Sequence, residues 1–311
     1  MKALRSIHSA PAPHWVGNGF PVRTLFSYQA DAEAISPFLL LDHAGPLDFP
    51  PQTPPRGVGV HPHRGFETVT LVYDGDVAHR DSSGGGGLIG AGDVQWMTAG
   101  AGILHDEFHG PQLSDHGGRF EMVQLWVNLP RAAKLTTPRY QALRAADIPL
   151  QQLDPLGSTL RVIAGNAGGA YGPARTHSPL ALYDMQLIAG ARPQLALPAG
   201  WTTLAVLLRG AVRVQGTLLT DGQVAQLGRA GEQLLLQADQ DSRLLVLSGA
   251  PLNEPVAGRG PFVMNHASEL DQAELDLRQG RFGRWPPRSP QGSTGVGKDA
   301  LPPLTPNEVS P

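Results

Sequence analysis

The sequence predicts an all-β protein that contains two copies of one β-unit and a few short helices. Glycine (38 residues) and proline (29) recur along the chain and divide it into short segments. These segments are rich in valine, leucine, threonine and aromatic residues, which is the composition of strands. Helical periodicity is scarce. Many short strands separated by turn residues indicate a barrel or a sandwich.

Local patterns place individual elements. Six segments have the composition of strands, namely residues 66–73, 93–97, 122–129, 204–214, 234–236 and 244–247. The clearest helix lies late in the chain, where Leu270, Ala273 and Leu277 fall on one helical face. Ser268 can cap the start of this helix and Gly280 can end it.

The chain also contains an internal repeat. The segment GFETVTLVYDG at residues 65–75 matches GWTTLAVLLRG at residues 200–210 in length, in both terminal glycines, and in an aromatic second residue and a threonine fourth residue. A second pair, GDVQWM from Gly92 and GEQLLL from Gly231, is brought into line by a loop that differs by four residues. We therefore predict an N-terminal unit of residues 1–135 and a C-terminal unit of residues 136–283.

Two stretches of the first unit each place a pair of metal-binding side chains two residues apart. They are His61 with His63, and His105 with Glu107. In a strand, side chains at i and i+2 point to the same face. If the two strands face each other, three imidazoles and one carboxylate surround one point. Such a donor set suits Fe(II), and also Mn, Ni, Cu or Zn, and it leaves about two positions of an octahedral metal open.

The second unit lacks these donors. Under the two alignments above, His61, His63, His105 and Glu107 all fall on residues that do not bind metals: Ala196, Pro198, Leu244 and Val246. Nine of the eleven histidines precede residue 120. We therefore expect the first unit to carry the metal and the second to be a scaffold with an apolar or empty interior.

Other polar residues near these motifs allow more than one interpretation. Glu67 shares strand parity with His63, so it could bind the metal, orient a histidine or act as a base. We predict that it assists proton transfer. His109 continues the parity of residues 105 and 107, but an ordinary strand would carry it past the metal. Arg64 fits a structural ion pair better than an anion clamp. We assign no chemistry to the remaining nearby histidines, which are His43, His79 and His116.

The composition excludes several kinds of site and partner. Without cysteine, the chain forms no disulfides and offers no thiolate ligands. A net charge of −3 and the absence of a lysine- or arginine-rich block argue against direct nucleic-acid binding. No apolar segment suggests a signal peptide or a membrane span. We expect a cytoplasmic monomer. Residues 284–311 contain seven prolines and little to bury, so we predict a disordered tail.

Taken together, the motifs resemble those of the pirins, a branch of the cupin superfamily. The segments that carry the resemblance run in order from SPFLLLDH at residue 36 to Gly283, and they are HPHRGFETVT, GDVQWMTAGAGILHDE, QLWVNLP, PRYQ, GPFVMN and QGRFG. The resemblance implies two stacked cupin (jelly-roll) β-barrels, a bicupin, with one mononuclear metal, usually iron, in the N-terminal barrel. It implies ligand roles for His61, His63, His105 and Glu107. Glu67 matches a family position that is not usually counted as a ligand.

The resemblance implies two alternative functions. Some pirins oxidise flavonols such as quercetin with dioxygen, opening the heterocycle and releasing carbon monoxide. Others are redox-responsive cofactors of transcription regulators or modulate metabolic enzymes. We expect an Fe(II)-dependent enzyme of the quercetin 2,3-dioxygenase type that takes a small aromatic substrate and O2. The alternative is a non-catalytic metal sensor that binds a protein partner. The chain departs from the pirin pattern in its proline-rich tail and in a longer GPLDFPPQTPPRG segment before His61.

Overall fold

The computed structural model describes residues 1–285, most of which lie in short antiparallel strands. The chain begins with β1 (Leu4–Ser9). The next eleven strands form the first barrel: β2 (His14–Val16), β3 (Phe20–Ser27), β4 (Phe38–Phe49), β5 (Gly57–His63), β6 (Phe66–Asp74), β7 (Asp76–Asp81), β8 (Gly86–Gly90), β9 (Val94–Thr98), β10 (Ile103–His109), β11 (Gly118–Asn128) and β12 (Arg139–Leu143).

The second half of the chain follows the same plan. Its strands are β13 (Leu150–Gln152), β14 (Thr159–Ala164), β15 (Asn166–Ala167), β16 (Ala170–Tyr171), β17 (Leu180–Leu187), β18 (Gln194–Ala196), β19 (Thr202–Arg209), β20 (Ala211–Val214), β21 (Thr217–Thr220), β22 (Gln223–Leu227), β23 (Gln233–Ala238), β24 (Ser242–Gly249), β25 (Ala257–Arg259) and β26 (Phe262–Met264). The helices are α1 (Tyr28–Ile35), α2 (Pro111–His116) and α3 (Ala267–Arg278).

Each half forms a barrel from one seven-stranded and one four-stranded sheet. In the first barrel the strand orders are β12-β9-β6-β11-β4-β3-β2 and β5-β10-β7-β8. In the second they are β1-β22-β19-β24-β17-β14-β13 and β18-β23-β20-β21. The two orders correspond strand by strand. The protein is therefore the all-β bicupin that the resemblance implied.

The two seven-stranded sheets pack face to face, and this contact stacks the barrels. One apolar cluster joins Val69 and Leu71 of β6 to Leu204 and Val206 of β19. A separate cluster fills the interior of the second barrel with residues such as Leu207, Leu234 and Leu236. The first barrel instead has apolar packing at one end and polar side chains at the other. The polar end contains His61, His63, His79 and His105.

Each end of the chain packs on the opposite barrel, so the predicted boundaries 1–135 and 136–283 need correction. Strand β1 pairs with β22 of the second barrel, and β12 pairs with β9 of the first barrel although it follows residue 135. Strands β25 and β26 and helix α3 lie against the first barrel, where Arg64 forms an ion pair with Asp276. Pairing an open sheet edge stabilises it, and any segment within reach can supply that strand. Segmentation along the sequence cannot detect this exchange.

The repeat is confirmed in one part and wrong in the other. Strands β6 and β19 are equivalent, as the match between residues 65–75 and 200–210 predicts. However, the strand order equates β9 with β22 and β10 with β23, so GEQLLL belongs to the counterpart of β10. His105 and Glu107 therefore correspond to residues of β23, and not to Leu244 and Val246. The sequence of β23, QLLLQA, contains no metal-binding side chain, so the conclusion about the second barrel is unchanged.

The late helix is confirmed with a shifted start. Helix α3 begins after His266 and not at Ser268, because Glu269 accepts a hydrogen bond from the His266 backbone N–H at 2.8 Å. Gly280 follows the helix with a positive φ of 71°, as expected for its C-terminal turn. Within residues 1–285, no helix combines the length and the apolar character needed to cross a bilayer. The predicted disordered tail lies almost wholly outside the described residues.

Candidate metal centre

Three of the four predicted ligands meet where β5 and β10 pair. His105 lies opposite His61 in the ladder, and Ile103 lies opposite His63. The ring centroid of His105 is 4.1 Å from that of His61 and 4.8 Å from that of His63. One nitrogen of each ring lies within 4.8 Å of the others. Strand pairing therefore brings both motifs to one point, as the alternation rule requires.

Local backbone features on either side of the histidines shape this site. The β5–β10 ladder is irregular beside His61, where β5 has one residue more than β10 between the pair of His61 with His105 and the pair of Val58 with Glu107, whereas β10 pairs regularly with β7. After His63 the chain turns at Gly65, whose φ is +87°. A Cβ at Gly65 would overlap the carbonyl oxygen of Val263. Glycine is therefore required where the C-terminal segment crosses the end of β5.

Each of the three rings has an acceptor beside its Nδ1 atom. His61 Nδ1 lies 2.8 Å from the carbonyl oxygen of Gly59, and His63 Nδ1 lies 3.4 Å from that of Pro261. His105 Nδ1 lies 3.3 Å from Nδ1 of His79. A proton on Nδ1 leaves the Nε2 lone pair free. Nε2 of His105 is buried and has no hydrogen-bond partner among the described residues, which is the state expected of a metal-binding atom.

Burial favours the neutral form of all three histidines. Loss of solvent lowers the pKa of His61 and holds the pKa of His63 and His105 well below the usual range. The neighbouring imidazoles act in the same direction on His63 and His105, because two adjacent imidazolium charges repel each other. Neutral imidazole is the form that binds metal ions. The residues present therefore fit a divalent transition metal.

Glu107 lies on the inner side of the same cluster. Its carboxylate groups with His79 and His105, with donor atoms within 4.8 Å of one another. Both carboxylate oxygens accept hydrogen bonds, Oε1 from the Gln95 amide and Oε2 from the Gln124 amide, each at 2.9 Å. His105 thus belongs to two overlapping groups, one with His61 and His63 and one with His79 and Glu107.

Aromatic side chains form one wall of the site. The His63 ring lies 5.4 Å from Trp126 and 5.0 Å from Phe66, and the latter two rings stack with centroids 4.3 Å apart. His61 is partly exposed, whereas His63 and His105 are buried. The cluster can therefore be reached from the His61 side and is apolar around His63.

Comparison with known proteins identifies the family. A model of the Pirin family matches residues 19–127, and a model of the Pirin C-terminal cupin domain matches residues 182–283. The chain belongs to the pirin family. It is 56% identical over 284 residues, 91% of this chain and 99% of the relative, to a Pseudomonas aeruginosa protein provisionally named quercetin 2,3-dioxygenase.

Two further relatives extend this comparison. A crystal structure of quercetin 2,3-dioxygenase from Acinetobacter baumannii superposes with a TM-score of 0.90 at 54% identity, covering 91% of this chain and 99% of that chain. Human Pirin is 38% identical over 255 residues, 80% of this chain and 83% of the human protein. The likeness therefore extends across both barrels.

Glu67 does not lie at the cluster, contrary to its predicted role in proton transfer. It is on β6, where alternate residues face opposite sides. Glu67 shares its side with Val69 and Leu71, which pack between the barrels. Its carboxylate accepts a hydrogen bond from Thr98 Oγ1 at 2.7 Å, and burial raises its pKa to about 7. The parity argument failed because the turn at Gly65 separates Glu67 from the strand of His63.

The other candidates have structural partners. His109 donates to the carbonyl oxygen of Gly19 and packs against aromatic rings, away from the cluster. His43 contacts Glu121 at 2.9 Å. Arg64 forms the buried ion pair with Asp276 at 2.8 Å that the sequence favoured.

Sequence reasoning gave no role to three side chains that contact Glu107 or His105, two of them buried and Gln124 partly buried. They are His79, Gln95 and Gln124. His79 and Asp81 form an H-x-D pair, and the same i, i+2 rule that revealed the other motifs would have detected it. The two glutamines each interrupt an apolar strand, VQWM and VQLW, which is itself a sign of a buried polar contact.

Proposed function

We propose that His61, His63, His105 and Glu107 hold one divalent transition metal, and that the chain uses it to cleave flavonols such as quercetin with dioxygen. The observation that carries the proposal is the convergence of three neutral imidazoles beside a carboxylate, with Nε2 of His105 buried and unpartnered among residues 1–285. A buried polar atom without a partner is costly unless something binds it. A metal ion satisfies this atom.

The donor set favours a borderline metal. Imidazole and carboxylate ligands suit Fe(II), and also Mn, Ni, Cu or Zn. When bound, any of these metals would supply a Lewis acid, and all of them except Zn would also supply a redox-active centre for chemistry with dioxygen. Fe(II) is our choice for the active protein, because it changes oxidation state, as Zn does not, and because the pirin family usually holds iron.

The aromatic wall beside His63 suits a flat aromatic ligand. Trp126 is partly exposed and stacks on the buried Phe66, so the Trp126 ring offers surface for a flavonol. The indole N–H of Trp126 is buried without a partner among the described residues, so a donor remains for a substrate oxygen. The Gln95 and Gln124 amides hold the Glu107 carboxylate in one orientation. Relatives that are 54% and 56% identical over 91% of this chain are named after quercetin dioxygenation.

Oxygen uptake with quercetin tests the activity. We expect Fe(II)-loaded protein to consume O2 and quercetin together and to release carbon monoxide, and we expect His63→Ala to lose this turnover because it removes one ligand. The measurement is an oxygen electrode trace with gas-phase detection of carbon monoxide, on protein whose iron content is determined in the same sample. Equal turnover by the wild type and His63→Ala would reject the proposal.

A control variant at His109 distinguishes the loss of a metal ligand from the loss of the folded structure. His109→Gln changes a buried histidine on β10 that lies outside the cluster and contacts a backbone carbonyl. It should retain both iron and turnover. Wild-type protein that binds iron but leaves quercetin intact would reject the dioxygenase and leave the metal site standing.

One observation favours a non-catalytic sensor as a second candidate. His63 contacts the carbonyl oxygen of Pro261, and its neighbour Arg64 pairs with Asp276 of α3. A change at the metal can therefore reach the C-terminal segment on the protein surface, where a protein partner would bind. We then expect hydrogen exchange in residues 257–283 to differ between the Fe(II) and Fe(III) forms. Unchanged exchange together with brisk quercetin turnover would favour the enzyme.

A further inference from the structure

A chain of three buried side chains leads away from the proposed metal site. Asp81 Oδ2 lies 3.2 Å from His79 Nε2, and His79 Nδ1 lies 3.3 Å from His105 Nδ1. The three side chains are at most 1% exposed. Strand pairing sets this arrangement, because β7 and β10 place His105 opposite Asp81 and Glu107 opposite His79.

The contacts of Asp81 show which nitrogen of His79 carries a proton. Its Oδ1 atom accepts hydrogen bonds from the Ser83 backbone N–H at 2.9 Å, the Ser83 hydroxyl at 2.6 Å and the Gly85 N–H at 3.0 Å. Although burial alone would raise the pKa of Asp81, hydrogen bonds from His79 and Ser83 lower this pKa, so Asp81 is a carboxylate that only accepts. His79 must therefore donate to Oδ2 through an Nε2 proton.

An independent contact assigns the other nitrogen of His79. The Gln95 amide nitrogen donates to Glu107 Oε1 at 2.9 Å and lies 3.3 Å from His79 Nδ1. The Glu107 carboxylate only accepts, so it sets the orientation of this amide, whose oxygen then accepts from the Tyr140 hydroxyl at 3.2 Å. A donor amide facing His79 Nδ1 requires that this atom accept. Neutral His79 thus carries its proton on Nε2 alone.

The remaining contact sets the state of His105. Because His79 Nδ1 accepts, His105 Nδ1 donates to it, and the Nε2 lone pair of His105 stays free. We propose that Asp81 and His79 are positioning residues, which hold His105 in the tautomer that presents Nε2 to the metal. This inference rests on the ligand role of His105 proposed above. His61 and His63 use backbone carbonyls for the same purpose, whereas His105 depends on a side chain whose tautomer can be reversed.

Asp81→Asn is the variant expected to reverse the direction of the hydrogen bonds that join Asp81, His79 and His105. The three loop donors hold the asparagine oxygen where Oδ1 of Asp81 now lies, so the NH2 group faces His79. His79 Nε2 must then accept, its proton moves to Nδ1, and His105 Nδ1 must accept in turn. The proton of His105 then occupies Nε2, where it blocks the metal. The equivalent aspartate-to-asparagine change in serine proteases produces the wrong histidine tautomer in the same way.

Two measurements on the full chain test the proposal. Imidazole ¹⁵N shifts of the metal-free protein, recorded at a pH where histidine is neutral, should show the His105 proton on Nδ1 in the wild type and on Nε2 in Asp81→Asn. Zinc(II) affinity, measured by competition with a chelator, should fall about 10- to 100-fold in Asp81→Asn, the usual effect of losing an outer partner of a ligand. Thermal unfolding of the metal-free proteins shows whether a variant has lost stability.

A pair of variants at His79 supplies the control. His79→Asn places an acceptor oxygen near the position of Nδ1 and should keep the wild-type tautomer of His105 and most of the zinc affinity. His79→Phe keeps the ring that stacks on Tyr140, with centroids 5.1 Å apart, but removes the acceptor, and it should lose affinity. A His105 proton on Nε2 in the wild type, or no switch in Asp81→Asn, would overturn the inference. A switched tautomer with unchanged zinc affinity would instead overturn the ligand role of His105.

Discussion

Replacing His105 with alanine is expected to lower zinc(II) and iron(II) affinity by more than about 100-fold, beyond the loss from an outer partner. The reason is its position: His105 is the residue shared by the group with His61 and His63 and the group with His79 and Glu107. The remaining ligands would then be the His61 and His63 imidazoles and the Glu107 carboxylate, without the residue that links them. Two measurements check the loss of affinity. One is the metal content that remains after dialysis against a chelator, and the other is the metal affinity from competition with a chelator.

His109→Ala is the control variant for His105→Ala. His109 lies on the same strand and is also buried, but it packs against Phe49 and Phe120 and donates to the carbonyl oxygen of Gly19. Its loss should reduce stability while leaving metal affinity unchanged, provided both variants are measured below their unfolding temperatures. Equal metal loss in both variants, or none in His105→Ala, would contradict the proposed coordination.

Glu67→Gln is expected to make the protein more stable than the wild type in alkaline solution and to leave metal affinity intact. Burial raises the pKa of Glu67 from an ordinary value of 4.5 to about 7. Between these values the folded protein holds a proton that the unfolded chain releases, so wild-type stability falls as the pH rises through about 7. This pKa shift corresponds to about 3 kcal/mol of unfolding free energy. Glutamine does not ionise, so Glu67→Gln does not lose this stability as the pH rises.

The difference in unfolding free energy between Glu67→Gln and the wild type should therefore grow by about 3 kcal/mol from acid to alkaline pH. Denaturant titrations at several pH values measure this difference, and any constant cost of the amide cancels from it. Glu33→Gln, an exposed glutamate, should show no such trend. A difference independent of pH would contradict the burial of an uncharged Glu67. Loss of metal in Glu67→Gln would contradict its placement on the face between the barrels.

Much of the candidate site follows from strand alternation. His61 with His63 and His105 with Glu107 are spaced for one face of a strand, and the paired strands do bring the three histidines together. The period of two survives most changes of context because it comes from the backbone itself. The same rule failed for Glu67, since a turn at Gly65 divides the apparent strand and resets which residues point inward.

Contacts between distant segments were the part that sequence reasoning could not supply. His79 lies 26 residues before His105, and the two meet only because β7 and β10 are neighbours. The carbonyl oxygen beside His63 belongs to Pro261, on a segment that returns to the first barrel. The second repeat alignment failed for a related reason, because glycine before an apolar strand recurs too often to establish which strand is which.

The order of amino acids by itself indicated that this protein is built from two β-units, and it placed the candidate metal-binding groups in the first. Both conclusions rest on periodicity and on residue type, which act locally. Only the tertiary structure decided which polar groups surround those ligands, which barrel each chain end completes and which way Glu67 points. Those outcomes depend on strand pairing across long separations, where many registers satisfy the same local pattern and packing selects one.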